Sequence, residues 1–209
     1  MHDYPIEVAL LAGTRLTSDS LVESTGQPDS EALIEYAGRL CWASEAKTGT
    51  TPDRIQKWMD VGHMSMIEHS SLTFFIRASR VFTHELVRHR IASFSMRSQR
   101  FVKENEPQFI VPPERDLFAG PPQSVYYACM EQCWLAYERL LFYGIKPEIA
   151  RYLLPGACET QIVVTMNFRE LRHFIALRTH PRALPEMQCV AGKIREICKQ
   201  VAPQVFGDL

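Results

Sequence analysis

The sequence predicts an α+β fold. Three segments read as strands: IEVALLA at residues 6–12, LTFFIR at 72–77 and TQIVVTM at 160–166. Around them lie segments whose apolar residues recur every three or four positions, the period of a helix packed on one side. The two kinds of element are interspersed without the regular strand–helix–strand beat of a doubly wound sheet, which favours α+β over α/β.

After the first strand, residues 15–29 are polar and turn-rich and read as a loop or flap. A helix is predicted from Ser30 to Ser44, with Leu33, Tyr36, Ala37, Leu40 and Cys41 on one face. Thr51-Pro52 is a helix start, a cap followed by proline where the missing N–H has no partner to lose. That helix carries Ile55, Trp58 and Met59 and stops at Gly62. Leu72, Phe74 and Ile76 alternate with Thr73, Phe75 and Arg77 as a strand, and Val81 to Arg88 then reads as a helix.

Pro107, Pro112, Pro113, Pro121 and Pro122 mark a long irregular connection. A long helix follows at about 124–143, with Tyr126, Met130, Cys133, Tyr137 and Leu140 as its main stripe. Its other side mixes Glu131 and Glu138 with Tyr127, Leu135 and Phe142. A helix apolar on two sides has neighbours on two sides, and in a chain this small another subunit is a natural second neighbour. TQIVVTM is apolar on both alternating faces, which suits a central strand. Asn167-Phe-Arg-Glu170 reads as a capping box, the asparagine accepting from first-turn N–H groups while Glu170 reaches back. Leu171, Phe174, Ile175 and Arg178 share a face of that helix, and a last helix runs from about Pro185 to Val201.

At 209 residues the chain suits one domain, or one domain with an extra lobe. Its net charge of −1 argues against a general nucleic-acid binder. The local picture differs: from Arg77 to Lys103 there are seven Lys or Arg residues and one acid, Glu85. Such a concentrated anion site on a neutral body suits small charged ligands. The six cysteines form no C-x-x-C pair, so structural zinc is not expected. No signal peptide and no run of about 20 apolar residues is present, which reads as a reduced, cytosolic protein without a membrane partner.

HELVRH, residues 84–89, invites comparison with zinc proteases, whose two histidines stand four apart on one helix face. Here they are five apart, about 140° around a helix, so no metal is expected. No G-x-S-x-G, G-x-G-x-x-G or P-loop sequence occurs either. A phosphate ligand would therefore have to be held by side chains, and RHRIASFSMRSQR at 88–100 offers them. Arg88, His89 and Arg90 at a helix end can fan around a diphosphate, and guanidinium forks match phosphate oxygens. A solvated basic helix end, favourable with the helix dipole, is the plainer reading. Ser93, Ser95 and Ser98 tilt the balance as small donors in a turn, and Ser98-Gln99-Arg100 looks like a second anion cradle.

Several single residues keep two readings open. Glu85 either pairs with Arg88 one turn on or accepts from a ribose hydroxyl or a base N–H. Arg178 ends an otherwise apolar stripe and needs an anion or carbonyl partner, from a ligand or from the protein. Arg151, in EIARYLLP, is similar. His63 and His69 flank a helix-to-strand turn and His173 lies beside an apolar helix face; lone histidines of this kind are more often ordinary hydrogen-bonded residues.

Together these residues resemble the flavin-dependent thymidylate synthases, the ThyX family. Its signature is R-H-R, seven intervening residues, then S-x-R, and Arg88-His89-Arg90, Ser98 and Arg100 meet that spacing. GHMSMIEHSSLTFFI, HELVRHR, ARYLLP and the N-x-R-x-L-x-H-F-x-x-L-R pattern from Asn167 to Arg178 resemble family segments too, over about residues 60–180. The resemblance implies a mixed or antiparallel central sheet flanked by helices, in a single domain over 1–209 that assembles as a homotetramer with shared active sites. It implies conversion of dUMP to dTMP, with FAD as cofactor and NADPH and 5,10-methylenetetrahydrofolate as co-substrates. His63, Ser65, Arg88, His89, Arg90, Met96, Asn167, Arg169 and His173 would line the flavin site. Glu85, Arg88, Ser98, Gln99, Arg100, Arg151 and Arg178 would hold dUMP, with Arg178 and Ser98 at the catalytic positions. Ser98 is assigned to binding there, since a serine with no base beside it is a weak nucleophile. No cysteine falls in these segments, so reduced flavin would do the redox work and take part in carbon transfer.

Met96 stands where the family usually has Gln or Glu, and Arg97 where it usually has an apolar residue. Any ligand contact made from position 96 is then lost or moved to Arg97. Two rival functions remain: another flavin-dependent C5 modification of a pyrimidine nucleotide, such as hydroxymethylation, and a non-catalytic nucleotide- or RNA-binding module.

Overall fold

The computed structural model describes residues 2–3, 5–18, 20, 22, 26–51, 53–104, 108–112 and 119–209. Pro52, Pro107, Pro113 and parts of the 15–29 loop lie outside the described residues. Strand β1 (His2–Asp3) is followed by β2 (Glu7–Gly13), α1 (Asp29–Leu40) and α2 (Arg54–Asp60). A 3-10 turn at Ser65–His69 leads into β3 (Ser71–Ser79), α3 (Arg80–Leu86), β4 (Ala92–Met96) and β5 (Gln108–Phe109). The chain ends with α4 (Pro121–Phe142), α5 (Pro147–Ala150), β6 (Glu159–Asn167), α6 (Phe168–Arg178), α7 (Pro185–Val201) and α8 (Pro203–Phe206).

The main sheet has the order β2-β3-β6-β4 and every pairing in it is antiparallel. β6 lies inside the sheet, paired on both edges, with one face buried and the other, carrying Gln161, Val163 and Thr165, half-buried. Across it Phe74 faces Val164 and Ile76 faces Ile162, while Phe94 and Met96 of β4 continue the same rows. One face of the sheet therefore presents Leu72, Phe74, Ile76, Ile162, Val164 and Met166, all buried. Helices α1, α2, α3, α6, α7 and α8 pack their apolar residues against that face, giving a two-layer core. α4 stands apart with a smaller cluster of Phe109, Trp134, Tyr137, Ala150 and Cys158. Among the described residues no helix is long and apolar enough to cross a membrane.

Five expectations are corrected. α1 stops at Leu40, not Ser44, and Ala43 follows with φ of 44°, which ends a right-handed helix. Its buried side is not the Leu33–Tyr36–Leu40 stripe but Glu31, Ala32, Ile34, Glu35, Gly38 and Arg39. Those charges are buried because each is answered. Arg39 Nε donates to Glu35 at 2.7 Å, and Glu31 accepts from the Gln204 backbone N–H at 2.7 Å.

Pro121 and Pro122 belong to α4 as its first residues rather than to the irregular connection, since proline fits the first helical turn. Ser93 and Ser95 lie on β4, not in a turn. The polar–apolar alternation of ASFSM, read as part of a loop, is a strand's. Finally, only half of the capping box forms. Asn167 accepts from the Glu170 N–H at 2.9 Å, but the Glu170 carboxylate meets His89.

Candidate functional site

The arginine-rich segment runs from α3 across the turn at 87–91 into β4, which starts beside Met166 near the start of α6 and runs antiparallel to β6, so that Arg97 reaches the other end of the sheet by Gln161 and Glu159. The Ser79 side chain caps α3 by accepting from Phe82 N–H at 3.0 Å. The helix ends at Leu86, so Arg88, His89 and Arg90 leave in different directions. Arg88 and Arg90 are exposed, whereas His89 is 4% exposed, which breaks the expected fan of three around one group.

His89 is held at both ring nitrogens. Its Nδ1 lies 2.7 Å from Glu170 Oε1, and Arg178 Nε donates to its Nε2 at 3.0 Å. A guanidinium cannot accept, so the proton sits on Nδ1 and the ring is neutral. Burial pushes the imidazole pKa below its usual value; the Glu170 hydrogen bond pulls the other way, and the Arg178 charge reinforces the lowering. Arg178 also donates through one terminal nitrogen to Glu85 Oε2 at 2.6 Å and through the other to the Glu85 carbonyl oxygen at 3.2 Å. The same carbonyl also accepts from the Arg88 N–H at 3.2 Å. Glu85 thus pairs with Arg178, across 93 residues, rather than with Arg88.

Of two concavities, one is lined by Glu170 of this chain and the other by His84, the sequence neighbour of Glu85. The first, about 460 Å³, is lined by Glu68, Ile91, Asn167, Arg169, Glu170 and His173. Arg169 donates to Glu68 at 2.6 Å across its rim. The second, about 330 Å³, is bordered by Arg80, His84, Gln99, Arg151 and Tyr152. Three predicted flavin residues, Asn167, Arg169 and His173, come together in the first, and two predicted nucleotide residues, Gln99 and Arg151, in the second. His63 and Ser65 are exposed beside the 3-10 turn that carries Glu68. Ser98 accepts from the Arg100 backbone N–H at 3.2 Å, and the Arg100 side chain pairs with exposed Glu148 at 3.2 Å.

Met96, at the end of β4, points to the core side of the sheet with Ile162. Arg97 follows on the other side, its guanidinium 3.9 Å from buried Glu159. Successive strand residues face opposite ways, so Met96 and Arg97 point to opposite sides of the sheet.

Sequence reasoning missed Arg80 and His84, which border the second cavity. Their spacing of four on one helix face was the available signal. It also missed Glu170 as the partner of His89. His89, Glu170 and His173 offer three ligand atoms within 4.8 Å of one another. A metal there would have to displace both hydrogen bonds of a buried imidazole. Cys158 lies two residues beyond cavity-lining Gly156, but burial pushes its thiol up to about 12, so it is no thiolate nucleophile at neutral pH.

Comparison with known proteins agrees with this geometry. The family model described as "Thymidylate synthase complementing protein" matches residues 20–204. A flavin-dependent thymidylate synthase of Corynebacterium diphtheriae is 37% identical over 228 residues, covering 97% of this chain and 89% of the relative. One of Geobacter sulfurreducens is 40% identical over 191 residues, covering 87% and 82%. The crystal structure of the UMP/dUMP methylase PolB from Streptomyces cacaoi, bound with 5-Br dUMP, superposes with a TM-score of 0.82 at 26% identity, covering 97% of this chain and 93% of that one. With the match running over residues 20–204 and relatives 37% and 40% identical over most of its length, the chain belongs to the thymidylate synthase complementing protein family, that of the flavin-dependent thymidylate synthases.

Proposed function

We infer that this chain is a flavin-dependent thymidylate synthase, an enzyme that methylates dUMP at C5 to give dTMP. The observation that carries this is the gathering of Asn167, Arg169 and His173 around one cavity and of Gln99 and Arg151 around another. Two pockets lined by hydrogen-bonding and charged groups suit a cofactor and a nucleotide. The relatives' names support the reaction, and the PolB title names a dUMP analogue as its ligand. The family resemblance extends the reading to NADPH as reductant and 5,10-methylenetetrahydrofolate as carbon donor.

The residues fit a flavin. A cavity of about 460 Å³ falls in the range of ligand pockets, with an amide, a guanidinium and an imidazole on its wall. It takes part of a dinucleotide, and the exposed guanidiniums of Arg88 and Arg90 are suited to its diphosphate. When bound, the flavin supplies the electrons that turn a one-carbon bridge into a methyl group. The protein's own part is binding and orientation. Arg151, Gln99, Ser98 and Arg100 are suited to the nucleotide, and Arg178 to stabilising negative charge on the pyrimidine. The Glu85 and His89 bonds fix the Arg178 guanidinium in advance, so little reorganisation is needed when the base arrives.

The reading includes one domain over the chain and a homotetramer that completes the sites. Leu135 and Phe142, on one side of α4, are 49% and 86% exposed, and Tyr152 beside the second cavity is 81% exposed. Apolar surface of this kind marks an interface. Light scattering of the flavin-loaded protein tests it, with four subunits expected.

The experiment for the reaction is tritium release from dUMP labelled at C5, with NADPH and methylenetetrahydrofolate, on protein stripped of flavin and then given FAD. Release that needs both FAD and folate, with a product of the mass of dTMP, is the expected result. A hydroxymethyl product would support the rival C5 modification. No release from folded, FAD-loaded protein would overturn the reading.

A further inference from the structure

The bond from His89 to Glu170 lies on the far side of the imidazole from Arg178, and no ligand role given above requires it. Glu170 stands in the first turn of α6 and Arg178 in its last, with His89 of the α3–β4 turn bridging the two. Residues eight apart on a helix are about 12 Å apart along its axis, and the imidazole between them links the two side chains. The bridge is held on several sides. The Glu170 N–H donates to the Asn167 cap at 2.9 Å. Phe174 makes a T-shaped contact with the imidazole at 5.1 Å between centroids, and His173 lies at 5.6 Å.

A neutral imidazole has one donor and one acceptor, and whichever nitrogen carries the hydrogen leaves the lone pair to the other. Glu170 Oε1, 2.7 Å from Nδ1, accepts that hydrogen and so leaves the lone pair on Nε2, where the Arg178 Nε–H meets it at 3.0 Å. With the hydrogen on Nε2 instead, two N–H groups would face each other. The terminal nitrogens of Arg178 meet Glu85 Oε2 and the Glu85 carbonyl oxygen. Three of its five N–H groups thus have protein partners among the described residues, which leaves two for a ligand. The bond at Nε, where the planar group joins its flexible stem, fixes the third corner of the plane.

We propose that Glu170 is a positioning residue for the nucleotide: by accepting the His89 Nδ1–H it makes Nε2 the acceptor that aims Arg178 at the pyrimidine. The proposal rests on the reading of Arg178 as a dUMP residue. Glu170 also lines the first cavity, so a direct flavin contact is the alternative. The geometry favours the relay. Oε1 is taken by a histidine whose side chain is 2% exposed, and the relay ends on a guanidinium that is itself 15% exposed and has donors to spare.

The test is a double-mutant cycle on the FAD-loaded protein, read by equilibrium titration with dUMP. It compares wild type, Glu170→Ala, Glu170→Gln, Arg178→Ala, and Glu170→Ala combined with Arg178→Ala. Glu170→Ala is expected to raise the dUMP Kd about fivefold, about 1 kcal/mol, the worth of one hydrogen bond. Glu170→Gln keeps an oxygen that accepts from Nδ1–H and should stay within about twofold of wild type. In the Arg178→Ala background the Glu170→Ala change should have no further effect, because effects routed through one group do not add. A merely structural carboxylate would lower Tm in both backgrounds and leave the dUMP Kd of the folded protein where it was. Unchanged dUMP affinity in Glu170→Ala, additive losses in the double variant, or a Glu170→Gln protein as weak as Glu170→Ala each overturn the proposal. So does a larger loss of FAD affinity than of dUMP affinity, which would make Glu170 a wall of the flavin site. If Glu170→Ala does not fold, Glu170→Asp, whose carboxylate is drawn back from the imidazole by one methylene, takes its place in the cycle with the same expectations. Failure of the wild type to bind dUMP, or wild-type affinity in Arg178→Ala, would instead sink the nucleotide reading of Arg178, and the positioning role with it.

Discussion

Removing the carboxylate at Glu170 should destabilise the protein in a way that only the His89 geometry explains. The His89 and Glu170 side chains are 2% and 8% exposed, so truncation to alanine takes away the acceptor of a buried Nδ1–H, which only water entering from the cavity that Glu170 lines can replace. An orphaned buried donor costs about 1–3 kcal/mol. With a central figure of about 2 kcal/mol, the folded-to-unfolded ratio falls about 30-fold, and Tm falls by about 4–8 °C for a chain of this size. Glu170→Gln keeps an acceptor at the same place and loses only the assistance of the charge, so it should cost about 1 kcal/mol. The assay is urea unfolding at fixed protein concentration.

The pH dependence gives a second handle on the same pair. The His89 pKa is lowered in the folded state, so the unfolded chain takes up the proton first as pH falls. The stability contributed by the neutral imidazole is present above about pH 6.5 and is lost as pH drops through the lowered folded value. In Glu170→Ala the carboxylate that favours the charged ring is gone, the folded pKa drops further, and the acid-side loss extends to lower pH. A Glu170→Ala protein within about 0.5 kcal/mol of wild type, or a Glu170→Gln protein as weak as Glu170→Ala, would refute the reasoning.

Gly38→Ala should drive a methyl group into the Trp58 ring, with contacts as short as 2.5 Å, for about 1–3 kcal/mol of overpacking partly offset by the better helix propensity of alanine. Near-UV circular dichroism of Trp42 and Trp58, stacked with ring centroids 5.9 Å apart, should change with it. Glu186, buried and accepting from the Ser79 N–H at 2.7 Å, has its pKa raised by burial, so its contribution is present below about pH 4.3 and lost as pH rises through the raised value. The Glu186→Gln variant should therefore gain on wild type between pH 5 and 8 in paired unfolding curves. Arg178→Ala should weaken dUMP binding by at least about tenfold while leaving flavin content largely intact, and Arg90→Ala should do the reverse. Equilibrium titration with dUMP and flavin absorbance after gel filtration check both.

The parts of the fold that were legible in the sequence are those decided locally. β3 and β6 showed in their alternation and composition, and the boundaries of α7 match because Pro185 sets its start. α1 was misread because its buried side carries Glu31, Glu35 and Arg39, and a hydrophobic pattern cannot reveal that charges are paired. β4 was hidden by the charges around it, although ASFSM alternates as a strand should. In the site, the signature residues could be named from their spacing, but their partners could not. Glu85 meets Arg178 across 93 residues and His89 meets Glu170 across 81, and nothing local announces such a bond.

The chain of bonds from Glu85 through Arg178 and His89 to Glu170 changes what the signature means physically. Of its three consecutive basic residues, only Arg88 and Arg90 face outward; His89 is spent inside, tying the turn to α6. The histidine sets the direction of the arginines by anchoring the backbone between them. Exposed guanidiniums still hold a phosphate weakly, because water and salt screen them. Tight binding needs a low-dielectric cover over Arg88, Arg90 and Arg100, and among the described residues no element of this chain buries them. The chain also carries exposed apolar residues, Phe142 and Tyr152 among them. Both requirements are met at once if a second copy closes over the site, exchanging exposed apolar area for burial while it desolvates the arginines. Assembly and ligand binding would then be one linked equilibrium, each favouring the other.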